Sequence, residues 1–193
     1  MELTPRQVEF SDAALRVLAR EGLPSVSFRT VAAEAGMSLG SVQKAFPSKD
    51  ALLSAMFSRL RRTGYGPIGV EPGRPTLVGW LVELMVSVLP LDEPRRAAEL
   101  QRASFAERAA FDPGIAAAVA ASDHELRMTF AGMVRRAQAE GELAAAVDPD
   151  ATAWAVRAFI QGMSRQLLYD PVSPRTPYVD SVSGWWRPYF TTE

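Results

Sequence analysis

Apolar residues recur three or four positions apart along most of the chain, which is the spacing of one face of an α-helix. No run alternates apolar and polar residues over the length of a strand. Glycine, proline and residues able to cap a helix divide the pattern into segments. We therefore predict an all-α protein of about nine helices, over residues 5–21, 28–35, 39–46, 49–62, 76–89, 93–110, 114–140, 149–169 and 177–190.

The second and third predicted helices are short, and a tight turn joins them. Ser27 and Ser38 precede them and can cap their N-termini. Only Gly36, Met37 and Ser38 lie between the two helices, and glycine permits the left-handed backbone that such a turn needs. Two short helices with a glycine-containing turn are typical of the helix-turn-helix, whose second helix enters the DNA major groove. We therefore predict a three-helix DNA-binding domain over residues 1–48, with the helix over 49–62 as its connection to the rest.

The third predicted helix divides into a buried edge and an outward surface. Val42 and Phe46 are four residues apart and form the buried edge. The outward positions are mostly small or polar, as contact with base edges and phosphates requires. They are Leu39, Gly40, Ser41, Gln43 and Lys44.

Residues 28–53, FRTVAAEAGMSLGSVQKAFPSKDALL, resemble the N-terminal signature of TetR-family regulators. The shared residues are Ala32, Ala35, Gly36, Ser38, Gly40, Phe46, Ser48, Lys49, Leu52 and Leu53. The chain departs from the signature at Gln43, where the family usually has tyrosine, and at Ala45, where it usually has histidine. The resemblance implies a bacterial, sequence-specific transcription regulator: a ligand-released repressor that binds an inverted-repeat operator in double-stranded DNA as a homodimer.

The resemblance also implies roles for single residues on DNA. Arg29 can reach a base or a phosphate, Ser41 and Gln43 would read bases, and Lys44 and Lys49 would hold phosphates. Each of these could instead be a solvated surface side chain. The predicted DNA contacts are Arg29, Ser38, Leu39, Gly40, Ser41, Gln43, Lys44 and Lys49.

The charge distribution agrees with a DNA-binding N-terminus. The net charge is −1, but residues 1–62 carry nine cationic and six acidic side chains, whereas residues 63–193 carry twelve and sixteen. The chain has only two lysines, Lys44 and Lys49, and both lie in the predicted DNA-binding segment. Phosphate binding favours such a basic region because it releases condensed counterions.

By the resemblance, residues 49–193 form a helical domain for ligand binding and dimerisation, with a small-molecule effector of unknown identity. Trp80, Glu83 and Ser87 share one stripe of a predicted helix, and a buried carboxylate beside an indole would suit a cation. The alternatives are that Glu83 faces solvent and that the aromatic residues are ordinary core. The predicted pocket residues are Trp80, Glu83, Ser87, Phe105, Phe130, Met133 and Trp154.

The last two predicted helices carry broad apolar stripes. Burial against a twofold-related copy would remove these stripes from water, although packing within one chain is the alternative. The predicted dimer contacts are Phe159, Gly162, Met163, Gln166, Tyr178, Val182, Trp185, Trp186 and Tyr189.

Catalysis, cofactors and membrane insertion find no support in the sequence. The chain lacks cysteine, and its single histidine, His124, stands beside Ser122, Asp123 and Glu125 on a helix, where consecutive side chains cannot form a triad. We expect no enzyme activity, metal site or cofactor. The start of the chain does not resemble a signal peptide and no apolar run could span a bilayer, so we expect a cytoplasmic protein. A helical interaction or activator protein that keeps the helix-turn-helix as scaffold is the alternative function.

Overall fold

The computed structural model describes residues 3–63, 79–80, 84 and 87–170, and these residues contain helices but no strand. The fold class predicted from the sequence is therefore confirmed for this part of the chain. A short 3-10 helix, Leu23–Ser25, was not predicted. The α-helices are α1 (Pro5–Glu21), α2 (Phe28–Glu34), α3 (Leu39–Ala45), α4 (Lys49–Thr63), α5 (Glu93–Ala109), α6 (Pro113–Ala139) and α7 (Pro149–Tyr169).

The count of nine helices is not confirmed, since seven α-helices are described. The helix predicted over residues 76–89 is described at 79–80, 84 and 87–89, and all of these except residue 89 are helical. The helix predicted over residues 177–190 lies outside the described residues.

Each of the seven described α-helices begins at a residue whose side chain satisfies a terminal backbone amide, including Asp92 before α5, which accepts from the Arg95 amide. Such capping fixes the first residue of a helix, because the first four amides have no partner within it. The side-chain oxygens that accept these bonds belong to Thr4, Ser27, Ser38, Ser48, Asp92, Asp112 and Asp148.

The described residues fall into two compact units. The first unit comes from residues 1–66 and 96–119, and the second from residues 67–95 and 120–193. The first unit contains α1 to α4, most of α5 and the start of α6. The second contains the rest of α6 and all of α7.

α1 lies at the centre of the first unit, where it contacts α2, α3 and α4. Phe105 of α5 is completely buried in the same core and packs edge to face against Phe57 of α4, with ring centroids 5.3 Å apart. Burying each large apolar side chain of this kind stabilises the fold by about 1.5–3 kcal/mol. The largest fully buried side chains include Phe10, Leu18, Val31, Val42, Phe46, Leu52, Met56 and Phe105.

Ion pairs join α1 to its neighbours in the first unit. Arg59 of α4 donates to both carboxylate oxygens of Asp12, at 2.7 and 3.2 Å, and these bonds raise the pKa of Arg59. Glu34 at the end of α2 accepts hydrogen bonds from Arg16 at 2.8 Å and Arg20 at 3.0 Å, which lower the pKa of Glu34. These contacts link α2 and α4 to α1 at the edge of the apolar core.

Polar contacts also join α6 to α7 in the second unit. Arg157 donates to Asp123 at 2.6 Å, and both side chains are mostly buried. The guanidinium of Arg127 lies 4.3 Å from the ring centroid of Trp154, whose side chain is 60% exposed.

Candidate DNA-binding surface and effector pocket

α3 buries one edge and presents the other to solvent. Val42 is 0% exposed and Phe46 is 2% exposed, and both lie in the core of the first unit. Gly40, Gln43 and Lys44 are exposed, and Leu39 keeps 39% of its surface exposed although it is apolar. The helix therefore offers solvent the positions that the sequence predicts as DNA contacts.

Two serines organise the start of α3. Ser38, the N-cap, is exposed, and its hydroxyl accepts a hydrogen bond from the Ser41 amide at 3.3 Å. The Ser41 hydroxyl lies 2.9 Å from that of Ser38, and Ser41 is half-buried. The hydroxyl proposed to read a base thus already has a partner within the helix, which restricts its orientation.

The remaining predicted DNA contacts stand at the starts of neighbouring helices. Arg29 is the second residue of α2 and is exposed. Lys49 is the first residue of α4, is exposed, and follows the capping residue Ser48. Cations at these positions can reach phosphate oxygens at little desolvation cost.

The first turn of α1 also contributes to this region, which the sequence analysis did not anticipate. The guanidinium nitrogen of Arg6 lies 3.0 Å from the sulfur of Met37, in the turn between α2 and α3. Gln7 donates from its side-chain amide to the carbonyl oxygen of Ala45, the last residue of α3, at 3.0 Å. In the sequence, the spacing of Thr4 and Gln7 fits a capping box at the start of α1, but it does not indicate that Gln7 contacts α3.

Four of the predicted pocket residues, all of the second unit, are Trp80, Ser87, Phe130 and Met133. Trp80 is 8% exposed and packs edge to face against Phe130, with ring centroids 6.2 Å apart. Phe130 is buried and Met133 is half-buried. Ser87 is exposed and its hydroxyl donates to the carbonyl oxygen of Leu84 at 2.6 Å.

Two other predicted pocket residues have different surroundings. Phe105 belongs to the core of the first unit, against Phe57, because α5 packs there. Trp154 is mostly exposed beneath Arg127. Glu83 lies outside the described residues.

The predicted dimer contacts on α7 alternate in exposure. Gly162 and Gln166 are exposed, whereas Phe159 and Met163 are half-buried. The other five predicted contacts, Tyr178, Val182, Trp185, Trp186 and Tyr189, lie outside the described residues.

In the described part of the chain, no three histidine, cysteine, aspartate or glutamate side chains lie close enough together to hold a metal ion. His124 is exposed. Among the same residues, no helix is long and apolar enough to cross a membrane.

Two family models match the chain and together reach from α1 to beyond α7. The model of bacterial regulatory proteins of the tetR family matches residues 11–56. The model of the C-terminal part of BetI-type transcriptional repressors matches residues 78–179, which is more than half of the sequence.

Individual relatives agree with this assignment. The chain is 29% identical, over 175 residues, to the HTH-type nicotine-responsive transcriptional repressor HdnoR of Paenarthrobacter nicotinovorans, a match that covers 88% of this chain and 87% of the relative. A transcriptional regulator from Rhodococcus sp. Rha1 has a similar fold, with a TM-score of 0.83, 24% identity, and coverage of 98% of this chain and 100% of the other.

A regulator from Saccharomonospora viridis, solved in complex with choline, has a TM-score of 0.77 and 23% identity, covering 95% of this chain and 94% of the other. At these identities the solved structures support the fold, and the family models support the assignment. The chain belongs to the TetR family and is a DNA-binding transcriptional regulator.

Proposed function

We propose that this regulator represses transcription by binding an inverted-repeat operator as a homodimer, and that a small organic cation bound in the second unit releases it. The observation that carries the DNA-binding part is the division of α3 and its C-cap, Phe46, into a buried edge with Val42 and Phe46 and an exposed edge that includes Gln43 and Lys44. A helix anchored in this way can enter the major groove without giving up its core contacts.

The exposed residues have the chemistry for two kinds of DNA contact. The Gln43 amide can pair with adenine through two hydrogen bonds, which a phosphate-binding tyrosine at that position could not do. Lys44 and Lys49 supply positive charge for phosphates, and Arg29 adds a third cation. Base reading is therefore assigned to Gln43 and Ser41, and register on the duplex to the cations.

Binding to the DNA that flanks the gene for this protein tests the proposal. A footprint protecting an inverted repeat, with half-sites about one helical turn apart, is expected of a dimer with two recognition helices. The Lys44→Ala, Lys49→Ala double variant should bind this DNA more weakly and with a shallower salt dependence. Arg136→Ala removes an exposed cation of the second unit, which is paired with Glu140, and should leave binding unchanged. Equal affinity of the double variant and wild type would contradict the proposed surface.

The proposal of a cationic effector rests on chemistry that the relatives and this chain share. Nicotine carries a basic amine and choline a quaternary ammonium, and both names belong to relatives of this chain. The second unit holds an aromatic pair, Trp80 and Phe130, and the face of an aromatic ring attracts cations. Glu83, three residues after Trp80 in the sequence, would supply the counter-charge.

A comparison of matched ligands tests the charge requirement. Choline and dimethylbutanol, its neutral carbon isostere, have nearly the same shape, so a difference between them reports the charge. Choline, or a larger organic cation from the same screen, should weaken operator binding by about 5- to 150-fold, the usual range of coupling between two sites. The neutral isostere should not, and Glu83→Gln should reduce the response. Release by neutral or anionic compounds alone would overturn the cationic effector and leave the operator proposal intact.

A further inference from the structure

The side-chain amide of Gln7 joins the start of α1 to the end of α3. Its oxygen accepts hydrogen bonds from the Thr4 amide at 3.0 Å and the Thr4 hydroxyl at 3.2 Å. Its nitrogen donates to the carbonyl oxygen of Ala45 at 3.0 Å, in a partly buried contact between residues 38 positions apart. The backbone of Gln7 is held as well, because the buried Ser11 hydroxyl donates to its carbonyl at 2.6 Å.

The chemistry of the partners permits only one orientation of this amide. The backbone nitrogen of Thr4 can only donate and the carbonyl oxygen of Ala45 can only accept. An amide turned by half a rotation would face a donor with its own donors and an acceptor with its own acceptor. Gln7 therefore makes both contacts at once and in this one orientation.

The contact at Ala45 is made to a short helix whose buried apolar residues lie on one edge. α3 has seven residues, about two turns, and helices of this length are not stable by themselves. Its apolar anchors, Val42 and Phe46, lie on one edge, and apolar contacts are not directional. The carbonyl of Ala45 belongs to the last turn, where no amide within the helix can reach it. A directional hydrogen bond at this point restricts the tilt and rotation of the helix.

Arg6, the residue before Gln7, contacts the chain just before the start of α3. Arg6 lies 3.0 Å from the Met37 sulfur, and Met37 directly precedes the N-cap of α3, Ser38. Two consecutive side chains of the first turn of α1 thus contact the chain just before α3 and at its last residue.

We propose that Gln7 is a positioning residue for operator recognition, which orients α3 in the major groove through the Ala45 carbonyl without itself contacting DNA. The proposal rests on the proposed function, in which α3 reads the bases. A small rotation of α3 would displace Gln43 from its base edge while leaving the phosphate contacts of Lys49, on α4, in place. Gln7 should therefore affect discrimination between sequences more than non-specific affinity.

Three variants separate the contact with α3 from the capping of α1. Gln7→Glu keeps the acceptor that a capping box needs but cannot donate to Ala45. Thr4→Ala removes the capping partner and leaves the Gln7 to Ala45 bond. Gln7→Met removes both contacts without adding charge, whereas Thr4→Ala removes the N-cap hydroxyl and keeps the backbone amide that donates to Gln7. Their comparison separates loss of the Gln7 amide from loss of the N-cap hydroxyl even if Gln7→Glu does not fold. Thermal denaturation followed by circular dichroism reports the stability of each variant.

The DNA probes are the duplex that the wild-type protein selects from a random pool and a duplex of the same composition in scrambled order. The ratio of the two affinities should fall by about tenfold in Gln7→Glu and Gln7→Met, the value of one hydrogen bond, and stay within about twofold in Thr4→Ala. An effect of the added charge in Gln7→Glu would instead weaken both duplexes alike and vary with salt. Wild-type ratios in both Gln7 variants would overturn the positioning role. A wild-type protein that selects no sequence would overturn the proposed function itself.

Discussion

Gly36 ends α2 in a backbone conformation that other residues adopt only with strain. Its φ is +66°, in the left-handed region. The Met37 amide donates to the Ala32 carbonyl at 2.9 Å and the Gly36 amide to the Ala33 carbonyl at 3.2 Å, which is the Schellman arrangement. The direction in which the chain leaves α2 toward α3 therefore depends on one residue.

Gly36→Ala should lower the free energy of unfolding by about 1–2 kcal/mol, the cost of a left-handed conformation for a residue with a Cβ. No atom lies within 4 Å of where that Cβ would stand, so steric conflict adds nothing. Gly40→Ala is the matched control, because Gly40 lies inside α3, where alanine favours the helix by about 1 kcal/mol. Urea denaturation measures both, and a Gly36→Ala protein as stable as wild type would contradict the argument.

Replacing Gln43 should alter which DNA sequence is preferred, whereas replacing Lys49 should weaken binding to every sequence. Gln43→Ala should change the preferred base at one operator position, at a cost of about 1–3 kcal/mol for a lost bidentate pair. Lys49→Ala should weaken all sequences alike and reduce the salt slope by about one. Titration of single-base operator variants at several salt concentrations measures both effects. A uniform loss in Gln43→Ala would show that this side chain holds phosphate instead.

At the scale of helices, the sequence predicted bounds well wherever the signal is local. α7 begins and ends where predicted, since Asp148 accepts hydrogen bonds from the amides of Asp150 and Ala151 and Pro149 suits the first turn. Ser48 likewise caps α4. Caps and breakers act within a few residues, so the pattern of the chain contains them.

Contacts between helices were not predictable in the same way. Gln7 meets Ala45 and Arg59 meets Asp12 across 38 and 47 residues, and the Gln101 amide donates to the Leu15 carbonyl across 86. Helical periodicity states which face is apolar but not which helix covers it. For this reason Phe105 was predicted as a pocket residue, whereas the packing of α5 places it in the core beside Phe57.

The stability contributed by the ion pairs between α1 and Glu34 of α2 should depend on pH. In the folded protein, hydrogen bonds from Arg16 and, to a smaller extent, from Arg20 keep the pKa of Glu34 below its ordinary value. The stability gained is fully present above the pKa of the unfolded state and is lost as the pH falls through the lower, folded value. The stability difference between wild type and Glu34→Gln should therefore be largest near neutral pH and shrink in acid.

Denaturant midpoints between about pH 7 and pH 3 measure this difference. Glu140→Gln is the control, since Glu140, the residue directly after α6, also pairs with an arginine at 2.6 Å, but with one four residues earlier instead of one on another helix. A gap between wild type and Glu34→Gln that stays constant over the whole range would contradict the assignment.

At the scale of the whole molecule, α7 offers a surface on which a second copy can pack. Ala155, Ala158 and Gly162 are exposed and lie three or four residues apart, so they share a face. Small residues on such a face allow close approach of another helix. We propose that the dimer of the proposed function packs through this face together with the C-terminal residues predicted from the sequence.

Gly162→Arg should therefore disrupt the dimer without disturbing the fold. A Cβ at Gly162 would meet no atom within 4 Å in the single chain, but a charge inside an apolar interface should raise the dimer Kd by about tenfold or more. Gly132→Arg, at an exposed glycine of α6 with the same free space, is the matched control. Sedimentation equilibrium measures Kd, and equal values for the two variants would remove α7 from the interface.

The different surroundings of two tryptophans have a spectroscopic consequence. Trp80 is 8% exposed against Phe130, whereas Trp154 is 60% exposed beneath a guanidinium. An indole shielded from water fluoresces at shorter wavelengths than one in contact with it, and a water-soluble quencher such as iodide reaches only the latter. The chain has four tryptophans, so replacing Trp154, Trp185 and Trp186 by phenylalanine leaves Trp80 as the single emitter. In that protein a compound that enters beside Trp80 should change the emission and its resistance to the quencher, which gives an optical reporter of effector binding.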